Sequence, residues 1–122
     1  GRSFQGYDCS GLIQTCANSL GYQLPRDARD QVNSKLLSEI KIKDIFSGDL
    51  LFFKEDNIVT HVAIAIDSFK GEKNNLKYHG EILHSSGSVK ISKVVFDKKL
   101  YGVIDNEKKI KLYKIMRFKE NV

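Results

Sequence analysis

The sequence predicts an α+β domain, and two observations carry that prediction. One amphipathic helical pattern, "DCSGLIQTCANSLG" (8–21), comes first. Short strand-like runs follow it: "LLFF" (50–53), "THVAIAID" (60–67), "EILHSSG" and "SVKISKVV" (81–95), and "KIKLYKIMRF" (109–118). A helix followed by several antiparallel-looking strands is the pattern of that class.

Each element has a physical reason. Asp8 is a good helix N-cap. Behind it Cys9, Leu12, Ile13, Cys16, Ala17 and Leu20 fall at the i, i+3, i+4, i+7 spacing of one buried helical face. Gln14, Thr15, Asn18 and Ser19 take the wet side, and Gly21 is the stop signal. Cys9 then sits in the first turn and Cys16 in the middle of the apolar stripe, packed in the core. Pro25, the only proline, breaks the chain before a short, mostly polar helix opened by Arg26 or Asp27. Ser47-Gly48-Asp49 is a turn ahead of the apolar run "LLFF". In "THVAIAID", alternation puts His61, Ala63 and Ala65 on one face and Val62, Ile64 and Ile66 on the other. Both faces are apolar, so this strand is expected at the centre of the sheet. The small side chains beside His61 are expected to let a helix approach that face. Residues 68–80 read as a polar loop or the end of a long hairpin, and Ser85 to Gly87 as the turn of the next one.

Length and composition bound what the chain does. Its 122 residues form one domain, 1–122, by the length prior, enough for a modest single core. With 41% hydrophobic and 29% charged residues the balance is that of an ordinary soluble protein. No apolar run approaches the roughly 20 residues of a membrane span. The formal charge of +5 comes from scattered lysines with no aromatic interleaving, which argues against a nucleic-acid face. The chain opens on Gly1 and no export signal is visible, so it reads as a mature or excised piece.

The chemistry rests on two cysteines and three histidines. Cys9 and Cys16 on one helix would lie about 10 Å apart, beyond the roughly 7 Å that a disulfide bridges. A thiol in the first turn of a helix is stabilised as thiolate by the positive end of the dipole, and more so by a nearby imidazolium. Cys9 is thus either a small buried hydrophobe or a nucleophile. His61 is either a hydrogen-bonded core residue or the base of that nucleophile. His84, on the next strand, is placed to bond the other ring nitrogen of His61. His79 reads as exposed. Zinc usually takes ligands in close pairs, and the chain has no CxxC, HxxxH or HExxH, so no metal site is expected.

In order, "YDCSGLIQ", "LPRDARDQ", "SGDLLFF", "THVAIAID" and "ILHSSGSVKIS" resemble the successive motifs of the NlpC/P60 family of cell-wall cysteine peptidases. The resemblance runs from residue 1 to about 92, and the last strand fits it. It implies a reduced papain-like fold, with the cysteine-bearing N-terminal helix packed on an antiparallel sheet of about five strands. It implies Cys9 as nucleophile, His61 as base and His84 as the orienting residue, with Asp8 and Ser10 lining the substrate pocket. The implied reaction is hydrolysis of an amide bond of the peptidoglycan stem peptide, between γ-D-glutamate and the diamino acid, without a cofactor. A bacterial cell-envelope location and an upstream wall-binding domain go with it. Ala63 stands where that family usually has glycine, and the loop at 68–80 is longer than usual. Gly1 matches the end of the family's Tyr-x-x-Gly-Gly segment, whose tyrosine is not in this chain. Two other functions use the same residues: an amidase or acyltransferase of the same superfamily, and a silent wall-binding module. Intact Cys9, His61 and His84 argue against the last.

Overall fold

The predicted strand-like runs fold as strands over residues 50–53, 60–65, 81–85, 89–95 and 109–118 in a computed structural model that describes residues 9–72, 77–85, 88–105 and 107–119, with the backbone alone at Cys9. Helix α1 spans Cys9–Ser19 and α2 spans Ala28–Gln31. The strands are β1 (Leu37–Ile40), β2 (Leu50–Glu55), β3 (Ile58–Ala65), β4 (Lys70–Gly71), β5 (Lys77–Ser85), β6 (Val89–Asp97), β7 (Tyr101–Ile104) and β8 (Lys108–Phe118). A 3₁₀ turn at Ile42–Asp44 precedes β2.

The expectation of about five strands is corrected to eight among the described residues. The three missed ones have two to four residues. Such lengths are too short to display a two-residue alternation, and their neighbours recruit them. β1 pairs with Ile115–Phe118 of β8, β7 pairs with Lys108–Lys111 of the same strand, and β4 caps β5. Every pairing is antiparallel, in the order β1-β8-β2-β3-β5-β6-β7. Because β7 also pairs with β8, six strands close into a ring. The closure leaves neither β7 nor β8 as an open edge there.

A closed ring has an inside and an outside, and alternation along the strands sorts residues between them. Inside lie Leu51, Phe53, Ala63, Ala65, Ile82, Val94, Phe96 and Leu112. Outside, Leu50, Phe52, Val62 and Met116 meet Ile13 and Ala17 of α1, and Ala28 and Val32 around α2. Fully burying each of the larger side chains contributes about 1.5–3 kcal/mol.

This sorting corrects the expected approach of the helix. α1 packs on the face of Val62, whereas Ala63 and Ala65 face the interior. The alanines make room for rings rather than for a helix. Phe53, Phe96 and Phe69 stack in series inside, with centroids 6.1 Å apart at each step. Gly80 belongs to that arrangement: a Cβ there would fall 2.2 Å from the ring of Phe69. Within 68–80, Phe69 is thus a buried anchor, and Lys70 and Gly71 pair antiparallel with His79 and Tyr78.

α1 ends as its sequence requires. Gly21 adopts φ +88°, and the N–H groups of Leu20 and Tyr22 both donate to the Ala17 carbonyl. Leu20, expected on the buried stripe, falls past the last helical residue and is 70% exposed.

Candidate functional site

His61 and His84 meet at one end of the ring. β3 carries His61 opposite Phe53 of β2, and the pairing shifts just beyond, where Lys54 faces Val59 and Thr60 is passed over. A bulge of this kind re-aims the neighbouring side chain. On the other side of β3, Ile64 pairs with Leu83 and Ala65 with Ile82. The same register brings His84 level with Ala63, on the face of His61 and one step along it. The two imidazoles stand edge to face, with centroids 5.9 Å apart at 79°. Phe53 backs His61 at 5.7 Å.

The expected hydrogen bond from His84 to the second ring nitrogen of His61 is not formed by either nitrogen of His84 among the described residues. His84 is buried, and its Nε2 is engaged with Ser92 Oγ at 2.7 Å. Its Nδ1 is buried and has no partner among the described residues. His79 lies apart from both, exposed on the β4–β5 hairpin, with Nε2 2.9 Å from Glu72 Oε1.

Burial, then the neighbouring His84 and Lys108, lower the pKa of His61 from 6.5 to about 4. Burial and Lys90 lower that of His84 as well. Both rings are therefore neutral at pH 7. A lowered pKa means that the unfolded chain binds more protons than the folded one between about pH 4 and 6.5. Stability is fully present above pH 6.5 and is lost as the pH falls toward 4. The gap at His61 is worth about 3 kcal/mol. We expect the fall in unfolding free energy between pH 7 and pH 4, read from urea titrations, to shrink by about that amount in His61→Gln. An unchanged slope would place the acid sensitivity elsewhere.

Cys9 opens α1, which packs against β3 and reaches β5, the strands that carry the two histidines. The first turn of α1 is held by Gln31, a residue that neither motif chemistry nor phase singles out. Gln31, at the end of α2, is fully buried. Its amide donates to the carbonyls of Ser10 at 2.9 Å and of Pro25 at 2.8 Å. A glutamine closing "LPRDARDQ" was the available signal, and its burial under a polar segment was not legible. Ser10 is half-buried and its hydroxyl accepts from Arg26 Nη1 at 3.0 Å. Asp8 with its expected cap, the side chain of Cys9, and Ser86 and Gly87 of the expected turn lie outside the described residues.

Cys16 is not the core residue expected. It is half-exposed in the wall of an apolar groove of about 600 Å³, with Leu20 and Phe46. A second cleft, of about 350 Å³, opens beside His61 and is lined by Phe53, Tyr101 and Lys54, Lys108, Lys109 and Lys111. No group of three or more His, Cys, Asp or Glu residues that could hold a metal ion occurs among the described residues. No helix among them is long and apolar enough to cross a membrane.

Comparison with known proteins adds a lineage to this geometry. The model of a family described as the NlpC/P60 family matches residues 1–104. The chain is 30% identical over 107 residues to a γ-D-glutamyl-L-lysine dipeptidyl-peptidase of Bacillus subtilis, covering 80% of this chain and 32% of that protein. It is 36% identical over 80 residues to the bifunctional muramidase/DL-endopeptidase CwlT of the same organism, covering 60% of this chain and 23% of that one. Among solved structures, it superposes with a TM-score of 0.59 on a Staphylococcus aureus protein described as similar to lipoprotein, of the NLP/P60 family. That protein is 27% identical, and the match covers 93% of this chain and 32% of the other. The chain thus spans about a third or less of the length of these relatives.

Proposed function

The chain belongs to the NlpC/P60 family, and from that premise we propose that it is a cysteine peptidase of the bacterial cell envelope. Its substrate is the peptidoglycan stem peptide, and the bond cut lies between γ-D-glutamate and the diamino acid. The observation that carries this reading is the facing of His61 and His84 on the two strands against which the Cys9 helix packs. The name of one relative, a γ-D-glutamyl-L-lysine dipeptidyl-peptidase, supports the choice of bond.

The chemistry follows from the residue types. The thiol of Cys9 gives its proton to His61 and its sulfur adds to the amide carbonyl. His61 returns the proton to the leaving amine as the C–N bond breaks. Water then cleaves the thioester and restores the thiol. The neutral imidazole of His61 is the form that can accept a proton. His84 orients it, and no step calls for a metal or cofactor. The lysines of the cleft beside His61 suit the carboxylates of a stem peptide. Asp8 and Ser10 belong to the substrate pocket on this reading, and a wall-binding domain elsewhere in the protein would deliver the site to its polymer.

The test is incubation with defined stem peptides followed by mass spectrometry. We expect scission after γ-D-glutamate, lost in Cys9→Ala. Binding of the peptides without scission would make the chain a wall-binding module. Scission that persists in Cys9→Ala would require another nucleophile.

A further inference from the structure

His61 stands between two parts of the molecule. The Cys9 helix packs against β3 and β5 on one side of it. On the other side opens the cleft of about 350 Å³, whose remaining walls come from β2, β7 and β8. That volume is at the small end of ligand sites, roughly 300–1,000 Å³, and suits a short peptide end. The charge of the cleft is one-sided. Lys54, Lys108, Lys109 and Lys111 line it against the one carboxylate of Glu55. Among the described residues, the ion pairs form elsewhere, at Glu72, Asp105, Glu39 and Asp49. Two of the four ammonium groups rest on aromatic faces instead. Lys54 Nζ is 3.8 Å from the centre of the Tyr113 ring, and Lys111 Nζ is 3.8 Å from that of Tyr101. Neither ring supplies a counter-charge. Lys108 has a different place. Lys108, Ile110 and Leu112 alternate onto one face of β8, and that face turns into the ring, where Leu112 is buried and Ile110 packs on the same core. Lys108 therefore heads the interior row at the mouth of the ring. It is exposed there, in the cleft that His61 lines, and has no ion-pair partner among the described residues.

We propose that this cleft is the specificity site for the departing half of the substrate, and that Lys108 binds a carboxylate on that half. The proposal deepens the peptidase reading and rests on it for the substrate. In that reaction the acyl half stays on the Cys9 sulfur, while His61 hands its proton to the departing nitrogen. The departing half therefore lies on the side of His61 away from the helix, and the cleft is the space there. In a stem peptide this half begins at the diamino acid. It can present a carboxylate in two ways, at the end of the chain or on the diamino acid side chain. Either one meets an ammonium without a counter-charge, above the apolar surfaces of Phe53 and Ile110. A free ammonium on the same half meets four like charges instead. The cleft thus selects for acid just beyond the scissile bond.

Four stem peptides test this on the full chain. They carry either lysine or meso-diaminopimelate as the diamino acid, and each ends in a free carboxylate or a carboxamide. The lysine carboxamide, with no carboxylate on its leaving half, is the baseline. We expect kcat/KM to rise roughly 10-fold with the carboxylate that the cleft reads, the scale of a charge-assisted hydrogen bond. Lys108→Met should reduce that gain to about 2-fold or less and leave the baseline peptide unchanged, and Lys108→Arg should keep it. Lys108 is exposed, so both variants should fold. A gain that follows the free chain end assigns the site to the terminal carboxylate, and one that follows diaminopimelate assigns it to the side chain. Equal turnover of all four peptides by the native chain overturns the proposal. So does an equal loss on all four in Lys108→Met, which would make the lysine structural. Binding separates the site from the reaction. The four leaving dipeptides, lysyl- or diaminopimelyl-D-alanine as acid or amide, are titrated into Cys9→Ala and followed by the His61 ring resonances. The acid that the cleft reads should bind roughly 10-fold more tightly than the lysine amide, and adding Lys108→Met should remove that margin. The margin without any cleavage by the native chain would sink the peptidase reading and leave the carboxylate site standing. Cleavage without the margin would sink the site alone.

Discussion

His61→Ala is expected to remove stem-peptide hydrolysis almost entirely, by roughly 10⁴-fold or more in kcat/KM. The reaction asks one group both to take the thiol proton and to return it to the leaving amine, and no other described side chain on that face of β3 can do either. Its neighbours there are Ala63 and Ala65. The fold should survive, since His61 is only half-buried at the end of the ring and the stacked phenylalanines below it are untouched. The set of three histidines makes the measurement specific. His84→Ala should cost roughly 10²–10⁴-fold, the range for loss of an orienting partner. His79→Ala should change little, because its ring is exposed and, among the described residues, paired with Glu72 alone. Time courses by mass spectrometry, with the folded fraction checked for each variant, give the three ratios. A large loss in His79→Ala beside a small one in His84→Ala would move the third group to the hairpin.

The same residues mark how far the sequence could be read. α1 was legible because its apolar period, its Gly21 stop and its first-turn cysteine agree with one another. β3 was legible as a central strand because both its faces are apolar. The side of the sheet that receives the helix was not. Alternation separates Val62 from Ala63 but assigns neither to the inside, and that choice depends on ring closure through β7, a strand of four residues. The histidines announced themselves by type and phase. Ser92 and Gln31 did not, because a serine in "VKIS" and a glutamine in a polar segment each have an ordinary surface reading. Only long-range register makes them buried or paired. Cys16 shows the reverse error. Helical phase placed it on the buried stripe, but the groove beside α1 leaves that part of the stripe partly uncovered.

Arg117→Met is expected to be among the most destabilising single changes in the chain, at about 3–5 kcal/mol, and to exceed Asp49→Asn clearly. The two residues form a bidentate pair. Arg117 Nε donates to Asp49 Oδ1 and Nη2 to Oδ2, each at 2.8 Å. The pair is lopsided, however. The Asp49 side chain is 3% exposed and that of Arg117 is 42% exposed. Removing the arginine strands a carboxylate inside the protein with, among the described residues, the Phe46 N–H at 2.7 Å left to hold it. Neutralising the aspartate leaves a cation that can turn to water, so Asp49→Asn should cost only about 1–2 kcal/mol. The double variant Asp49→Asn/Arg117→Met should then be more stable than Arg117→Met alone, since the buried charge is gone. Urea midpoints for the four proteins test this order. Equal costs for the two single changes would mean that the carboxylate is not desolvated as the fold implies. Arg117 lies on β8 opposite Ser38 of β1, and the Asp49 carbonyl accepts from Ala65 N–H at the end of β3. The pair therefore joins the β1–β8 edge to the strand that carries His61. It lies at the far end of that strand from the imidazole. Catalytic rate per folded molecule should stay close to that of the unaltered chain in Asp49→Asn, while the folded fraction in denaturant falls.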